Sequence, residues 1–364
     1  MKVAIAGLGS MGIKTILHLR KSPHVTRIAG YDIDRDKLDA ARTEHGIDVC
    51  ENYEDILDDD DVKLVYVKAS NDAHKELTVK ALEAGKAVMC EKPMALSLED
   101  AEEMVLTAER LGGFLQIGFE LRYSKMFVKI KEWIDQGLLG DVVCTHCQYI
   151  CSEFHGKKSW RNYESNGGSM FGEKLSHYVD LPRWWIGDKV EKVISMCAPN
   201  VIPYYEVKDN YQTTYSFSNG AVSHLSFMMA VAPTMDRDPL QNLISVHMGD
   251  GHENRYIIEG TKGAASTSIF DRQIRRWEFG DSDFCMTSEL VEEITWDSKY
   301  DDKYVHNLED QDIDIAQRVA LGKPPMTDAR DSFETMKLVF AAEESANTSD
   351  IVRLDDLVPV QSKF

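Results

Sequence analysis

Positive charge is in short supply in this chain: 41 lysines and arginines stand against 61 aspartates and glutamates, a formal charge of −20. That balance argues against nucleic acid or an anionic membrane as a partner. Long apolar runs are missing too, because glycine or a charge interrupts each one. Neither a membrane span nor an N-terminal secretory leader is therefore expected. The seven cysteines are odd in number and scattered, so they make no disulfide framework and read as reduced thiols of a cytoplasmic protein. No repeat or low-complexity linker divides the 364 residues, a length that holds two domains. The acid-rich stretch from Glu51 to Asp61 reads as a solvated helix face.

What is present opens the chain. An apolar run, Val3-Ala4-Ile5-Ala6, breaks into Gly7-Leu8-Gly9-Ser10-Met11-Gly12 and continues as a helical pattern carrying Ile13, Ile16, Leu17 and Leu19. A second strand pattern, Val25 to Tyr31, ends at Asp32, twenty residues after Gly12. Strand, glycine turn, helix, strand and acid in this order fit a dinucleotide. Gly7 permits the tight turn, Gly9 lets the backbone approach a pyrophosphate, and Gly12 lets helix and strand pack closely. Ser10 and Met11 open the helix, whose unpaired N–H groups and positive dipole end suit the phosphates. Asp32 is expected to bond the adenosine ribose hydroxyls and to repel a 2′-phosphate. That favours NAD over NADP, although Arg35 is near enough to serve NADP.

Helical and strand patterns then alternate: helix 36–44, strand 48–50, strand 64–69, helix 75–84, strand 87–90, helix 98–111 and strand 114–118. Such alternation means a parallel, doubly wound sheet that binds ligands beyond the carboxyl ends of its strands. Ser70, Asn71, His74, Glu91 and Lys92 fall there, where a cofactor would lie. From about Glu120 the pattern changes. An amphipathic helix, 126–136, precedes strand-like runs at 141–151, 190–198, 210–217, 221–230, 256–260 and 264–270, and helices return at 308–320 and 332–348. The expected fold is α/β. Residues 1–120 form a Rossmann domain, and residues 121–364 a C-terminal α/β domain with a large, mostly antiparallel sheet. One open face of that sheet suits a homodimer or homotetramer.

Two stretches could carry chemistry. Glu91-Lys92-Pro93 follows a buried strand, and a lysine there can bond a substrate oxygen or help remove a hydroxyl proton. Taken alone, the tripeptide is more often a structural salt bridge at a turn. The second stretch runs from Gly167 to Asp180. Its helical pattern sets Glu173 and His177 at i and i+4 on one face. A carboxylate beside an imidazole can orient it as a general base near neutral pH. Lys174 lies within reach of His177, and Asp180 lies one turn further along. Without context, this too reads as an ordinary surface pair. Cys144, His146, Cys147, Cys151 and His155 are metal-type ligands. On a strand, however, Cys144 and His146 face one way and Cys147 and Cys151 the other, so buried thiols and no metal are expected. His155, beyond the strand, could still reach an active site. His18, His24, His45, His224, His247, His252 and His306 show no partner pattern.

Taken in order, these residues resemble the Gfo/Idh/MocA oxidoreductase family (glucose–fructose oxidoreductase, inositol dehydrogenase and relatives). The likeness runs through the glycine motif and Ser70-Asn71-Asp72-Ala73-His74, where relatives read like TPxxxH. It continues through Ala84-Gly85-Lys86, Glu91-Lys92-Pro93, Gly118 to Tyr123, Gly167 to Asp180 and Gly322-Lys323-Pro324-Pro325. The resemblance implies NAD(P)-dependent oxidation or reduction of a secondary alcohol on a sugar, sugar derivative or cyclitol. Lys92 would touch both the nicotinamide ribose and the reacting hydroxyl, and His177 would accept the proton in oxidation. Arg122, Trp160 and Arg161 fall where relatives often place substrate-facing groups. Two departures stand out. Glu173 replaces the usual Asp, which lengthens the arm and changes the acid–histidine geometry. Lys174 adds a cation suited to an acidic or extra-hydroxylated substrate. Asn71 in place of the usual proline is a smaller change. Two rival readings use the same scaffold. One is a redox-neutral enzyme whose tightly held NAD oxidises a glycoside transiently, and the other is a non-catalytic NAD-binding sensor.

Overall fold

The computed structural model describes residues 1–151, 153, 155–164, 168–229 and 252–357. They fall into two compact units, Met1–Glu120 with Leu308–Met336, and Leu121–Asn307 with the segment that begins at Lys337. Gly167, the end of the 221–230 run at Ala230, and His247 lie outside the described residues.

In the first unit, strands β1 (Lys2–Ala6), β2 (Arg27–Tyr31), β3 (Asp48–Val49), β4 (Val62–Val67), β5 (Ala87–Cys90) and β6 (Leu115–Ile117) form a six-stranded sheet in the order β3-β2-β1-β4-β5-β6. Every neighbouring pair is parallel. Val3 to Ala6 and Leu64 to Val67 are wholly buried, as central strands covered on both faces must be, which explains their unbroken apolar runs. Helices Ser10–Leu19, Arg35–His45, His74–Glu83 and Leu98–Leu111 alternate with the strands. Local chemistry sets their ends. Asp34 and Ser97 cap two N-termini by accepting the N–H of Asp36 and Asp100, and Gly46 and Gly112 close the same two helices in the left-handed conformation. The strand order reverses between β1 and β4, which opens a crevice at the carboxyl ends of the central strands.

Helix Leu308–Ala320 has the expected extent but belongs to this first unit, which corrects its assignment to a 121–364 domain. The physical reason is a buried polar network. Asp312 accepts from Thr15 Oγ1 at 3.0 Å and lies 2.8 Å from His18 Nδ1 and 3.3 Å from Lys68 Nζ. Its carbonyl accepts the Tyr66 hydroxyl at 2.6 Å. His18 therefore has a partner that its sequence neighbours do not reveal.

The second unit holds β7 (Val142–Cys151), β8 (Val190–Met196), β9 (Asn210–Phe217), β10 (Val222–Met228), β11 (His252–Gly260), β12 (Gly263–Ser268), β13 (Gln273–Asp281), β14 (Met286–Thr295) and β15 (Val352–Arg353). They form one sheet in the order β14-β13-β12-β11-β7-β10-β9-β8-β15. Its ladders are antiparallel apart from β7 with β10. Helices Lys125–Asp135 and Ser176–Ile186 pack against one face. There Tyr256 donates its hydroxyl to the Tyr178 carbonyl at 2.8 Å, and its ring meets Phe127 and Trp185 edge-on. The opposite face is open, with His146, Met196 and Ile257 exposed. The hairpin β13–β14 is absent from the sequence expectation because β14 is exposed along most of its length, so no alternating pattern marks it.

Candidate functional site

The glycine turn follows directly from β1. Gly7 has a φ of +102°, and a Cβ there would lie 2.5 Å from backbone atoms of Lys68 and Ala69, so conformation and space both demand glycine. A Cβ on Gly12 would stand 2.0 Å from the Gly7 carbonyl oxygen. Gly9 differs: among the described residues nothing lies within 4 Å of the Cβ it lacks. Its openness, beside exposed Ser10 and half-buried Met11 in the first turn of the helix, is what an approaching pyrophosphate requires. Asp32, one residue beyond β2, is buried. Its Oδ2 accepts the Leu8 N–H at 2.7 Å and its Oδ1 the Asp34 N–H at 2.9 Å, leaving lone pairs for ribose hydroxyls. These residues fit NAD.

Beyond β4 and β5 the expected residues divide. Ser70 is exposed, and Asn71 and Lys92 are half-buried at the crevice. Glu91 and His74, both expected at the cofactor, are buried and bonded to neighbouring protein groups. Lys68 donates to Glu91 Oε1 at 2.7 Å, and the Lys92 N–H donates to Glu91 Oε2 at 3.2 Å. Burial works against the Lys68 ammonium, but Asp312 and Glu91 outweigh it and hold the group above the usual lysine range. His74 Nδ1 lies 2.7 Å from the Pro93 carbonyl and Nε2 3.3 Å from that of Ala69. With an acceptor at each nitrogen, the ring is suited to carry two protons. Burial again opposes the charge, yet Cys90, the Pro93 carbonyl and Glu91 raise His74 to about 9.

In the second unit a π-helical turn, Phe171–Leu175, leads into helix Ser176–Ile186. That wider turn alters the expected i, i+4 geometry of Glu173 and His177. Glu173 Oε2 accepts from Arg161 Nε at 2.8 Å, and both Glu173 and His177 are buried. The Arg161 guanidinium lies 4.8 Å from the centre of the exposed Trp160 ring, and Lys174 Nζ lies 5.5 Å from that of Tyr149. Arg122 was expected to face substrate. It is buried, and its Nε and Nη2 donate to the two Asp180 carboxylate oxygens at 2.6 and 2.7 Å.

Three residues join this cluster that sequence reasoning placed loosely or not at all. Glu153 accepts the N–H groups of His155 and Gly156 and the hydroxyl of Tyr205. Tyr205 stacks on the His155 ring at 5.8 Å. His306 approaches His177 edge-on, with ring centres 6.4 Å apart; no local spacing could signal a pair so distant in sequence. Burial first, then the nearby charges of Arg161 and Lys174, push His155 down to about 4, which keeps it neutral. Along β7, Cys147 and Cys151 are buried while Cys144 and His146 look the other way, His146 toward His224. No group of three or more metal-type side chains is arranged around one point among the described residues.

Residues 1–119 match the family described as oxidoreductases with an NAD-binding Rossmann fold, and residues 127–266 match the GFO/IDH/MocA C-terminal domain. The uncharacterized oxidoreductase YrbE of Bacillus subtilis is 25% identical over 345 residues, 94% of this chain and 93% of its own length. Inositol 2-dehydrogenase of Salmonella paratyphi B is 31% identical over 201 residues, spanning 53% of this chain and 56% of that protein. The structure of scyllo-inositol dehydrogenase from Lactobacillus casei, with NAD(H) and scyllo-inositol bound, matches with a TM-score of 0.78 at 20% identity. That match covers 98% of this chain and 99% of the other, and at such identity it is a likeness of fold.

Proposed function

The chain belongs to the Gfo/Idh/MocA family of NAD-binding oxidoreductases, and from that membership we propose that it is a dehydrogenase of sugars, sugar derivatives or cyclitols. The reaction is hydride exchange between NAD and a secondary alcohol or its ketone. The observation that carries this reading is the glycine cradle, open at Gly9 and closed at Gly7 and Gly12, with Asp32 fixed beside it. The names of the inositol-dehydrogenase relatives support the substrate class.

Gly7, Gly9, Ser10, Met11 and Gly12 would hold the pyrophosphate, Asp32 the adenosine ribose, and Ser70, Asn71 and Lys92 the nicotinamide half. NAD, when bound, supplies the hydride acceptor for oxidation and, once reduced, the donor for reduction. Lys92 offers an ammonium to the reacting oxygen and stabilises its developing negative charge. His177 takes the hydroxyl proton in oxidation and returns it in reduction. Glu173, held by Arg161, places a carboxylate near the start of the same segment. Trp160, Arg161 and Lys174 present a ring face and two cations to the substrate's remaining hydroxyls or acidic groups. Asp32 favours NAD over NADP. The reading also makes the protein a cytoplasmic homodimer or homotetramer that assembles through the open sheet face. Among the described residues, no helix is long and apolar enough to cross a membrane.

The test is NADH absorbance on mixing protein and NAD with a panel of inositols, sugars, sugar acids and glycosides, beside H177N. Steady accumulation with one class, lost in H177N, is expected. Silence across the panel despite measurable NAD binding, or full turnover in H177N, overturns the reading.

A further inference from the structure

The last helix, Ala329–Thr348, brings Glu343 to the turn from which the Glu173–His177 segment starts. Ser169 donates its hydroxyl to Glu343 Oε1 at 2.5 Å, and Tyr211 on β9 donates to Glu343 Oε2 at 2.9 Å. The same Ser169 oxygen accepts the Gly172 N–H at 3.0 Å, and the Ser169 carbonyl accepts the Glu173 N–H at 2.8 Å. A helical run leaves its first N–H groups without partners inside the helix. Here a serine takes one of them while its own hydroxyl hydrogen is committed to a carboxylate, a stronger bond than one between neutral groups. That leaves the serine oxygen little freedom of direction. Tyr211 holds the carboxylate in turn and packs its ring edge-on against Phe171, centres 4.4 Å apart. Burial raises the Glu343 carboxyl above its ordinary range, and donation from Ser169, Tyr211 and the Phe171 backbone opposes that rise.

The start of a helical run matters far from its first turn. Successive residues are rotated by roughly 100°, so a one-residue slip at the start turns every later side chain to another direction. We infer that Glu343 is a positioning residue: through Ser169 and Tyr211 it sets where the π-helical turn begins, and so where Glu173, Lys174 and His177 point. The inference rests on the proposed catalytic roles of Glu173 and His177. Ser169 and Glu343 lie 174 residues apart in the sequence.

The test uses the full chain and needs two readouts, one of which requires no substrate. Amide exchange is followed at Gly172 and Glu173 in wild type, E343A, E343Q and S169A. Turnover is followed with the substrate found in the panel. In E343A, exchange at these two amides should rise at least about tenfold while β10 amides stay unchanged. Its kcat should fall about tenfold, with KM for NAD within about twofold of wild type. E343Q, which keeps one acceptor oxygen, should recover part of both effects. If E343A does not fold, S169A carries the same expectation. Lower thermal stability with unchanged exchange at Gly172 and Glu173 and unchanged kcat overturns the inference. Full turnover in H177N instead strikes the functional reading, and the exchange result then decides the role of Glu343 alone.

Discussion

Replacing Lys68 by methionine tests the buried ion network beneath the crevice. The lysine side chain is wholly buried, and the carboxylates it meets, Glu91 at 2.7 Å and Asp312 at 3.3 Å, are 10% and 1% exposed. Methionine keeps most of the apolar stem and removes the charge, so two interior carboxylates lose their cation. Asp312 retains Thr15 and His18, whereas Glu91 is left with the longer bond from the Lys92 N–H. Most of the loss should therefore fall on Glu91. Removing one partner of a buried ion pair costs about 3–5 kcal/mol. For a folding unit of about 150 residues, each kcal/mol lowers Tm by about 2–4 °C, so a drop of roughly 6–20 °C is expected. The assay is thermal and urea unfolding, read through amide exchange of Leu64 to Val67 so that only the first unit is reported. The double variant K68M/E91Q removes the stranded charge and should regain at least half of the deficit, since neutral groups cost less to bury. A K68M deficit under about 1 kcal/mol, or a double variant no more stable than the single, refutes the reasoning.

Four further outcomes follow from particular residues. Gly9→Ala meets no atom of the described residues, its chain neighbours aside, within 4 Å of its new Cβ, so its Tm should match wild type while NADH binding, read by fluorescence, weakens at least about tenfold. Unchanged binding would remove Gly9 from the phosphate seat. Gly12→Ala collides with the Gly7 carbonyl at 2.0 Å and should lose both stability and binding. His74, raised to about 9 from 6.5, should stabilise fully below pH 6.5 and lose that contribution as pH rises through about 9. At about 1.4 kcal/mol per pH unit this amounts to at most about 3.5 kcal/mol. The gap between wild type and H74Q in urea should narrow over that window, and a gap independent of pH would mean that the ring is not charged. Arg161→Met removes a partner of the buried Glu173 carboxylate, so stability should fall by only about 1–3 kcal/mol. Its kcat, measured in the NADH assay, should nevertheless fall about tenfold, and unaltered turnover would separate Glu173 from the chemistry.

The parts of the fold that were legible in sequence are those whose burial is determined locally. β1 and β4 are covered on both faces and so read as continuous apolar runs, while β9 and β10 are covered on one face and alternate. Helix Leu308–Ala320 was also legible as a helix, since its apolar residues recur with the right period. Its membership of the first unit was not, because that depends on Asp312 meeting Lys68 across 244 residues of sequence. β14 escaped for the opposite reason. Its residues are exposed along most of the strand, so its pairing with β13 comes from backbone hydrogen bonds, which leave no hydropathy pattern.

The candidate site divides along the same physical line. The glycine turn was legible because its demands fall on the backbone: a positive φ at Gly7 and a 2.0 Å approach at Gly12 admit no side chain. Residue type alone therefore encodes the geometry. Side-chain roles are different, since type fixes the chemistry a group can perform but not the partner it finds. Glu91, His74 and Arg122 have the chemistry expected of site residues, yet their polar atoms meet Lys68, the Pro93 and Ala69 carbonyls, and Asp180. Glu173 shows the principle most sharply. Its spacing from His177 is that of an α-helical pair, but the intervening turn is π-helical and its carboxylate meets Arg161, twelve residues earlier. The extra methylene that a glutamate has over an aspartate lengthens the reach of Glu173 toward that guanidinium. The acid and the arginine thus form one unit, in which Arg161 donates to the carboxylate that its spacing had paired with the histidine.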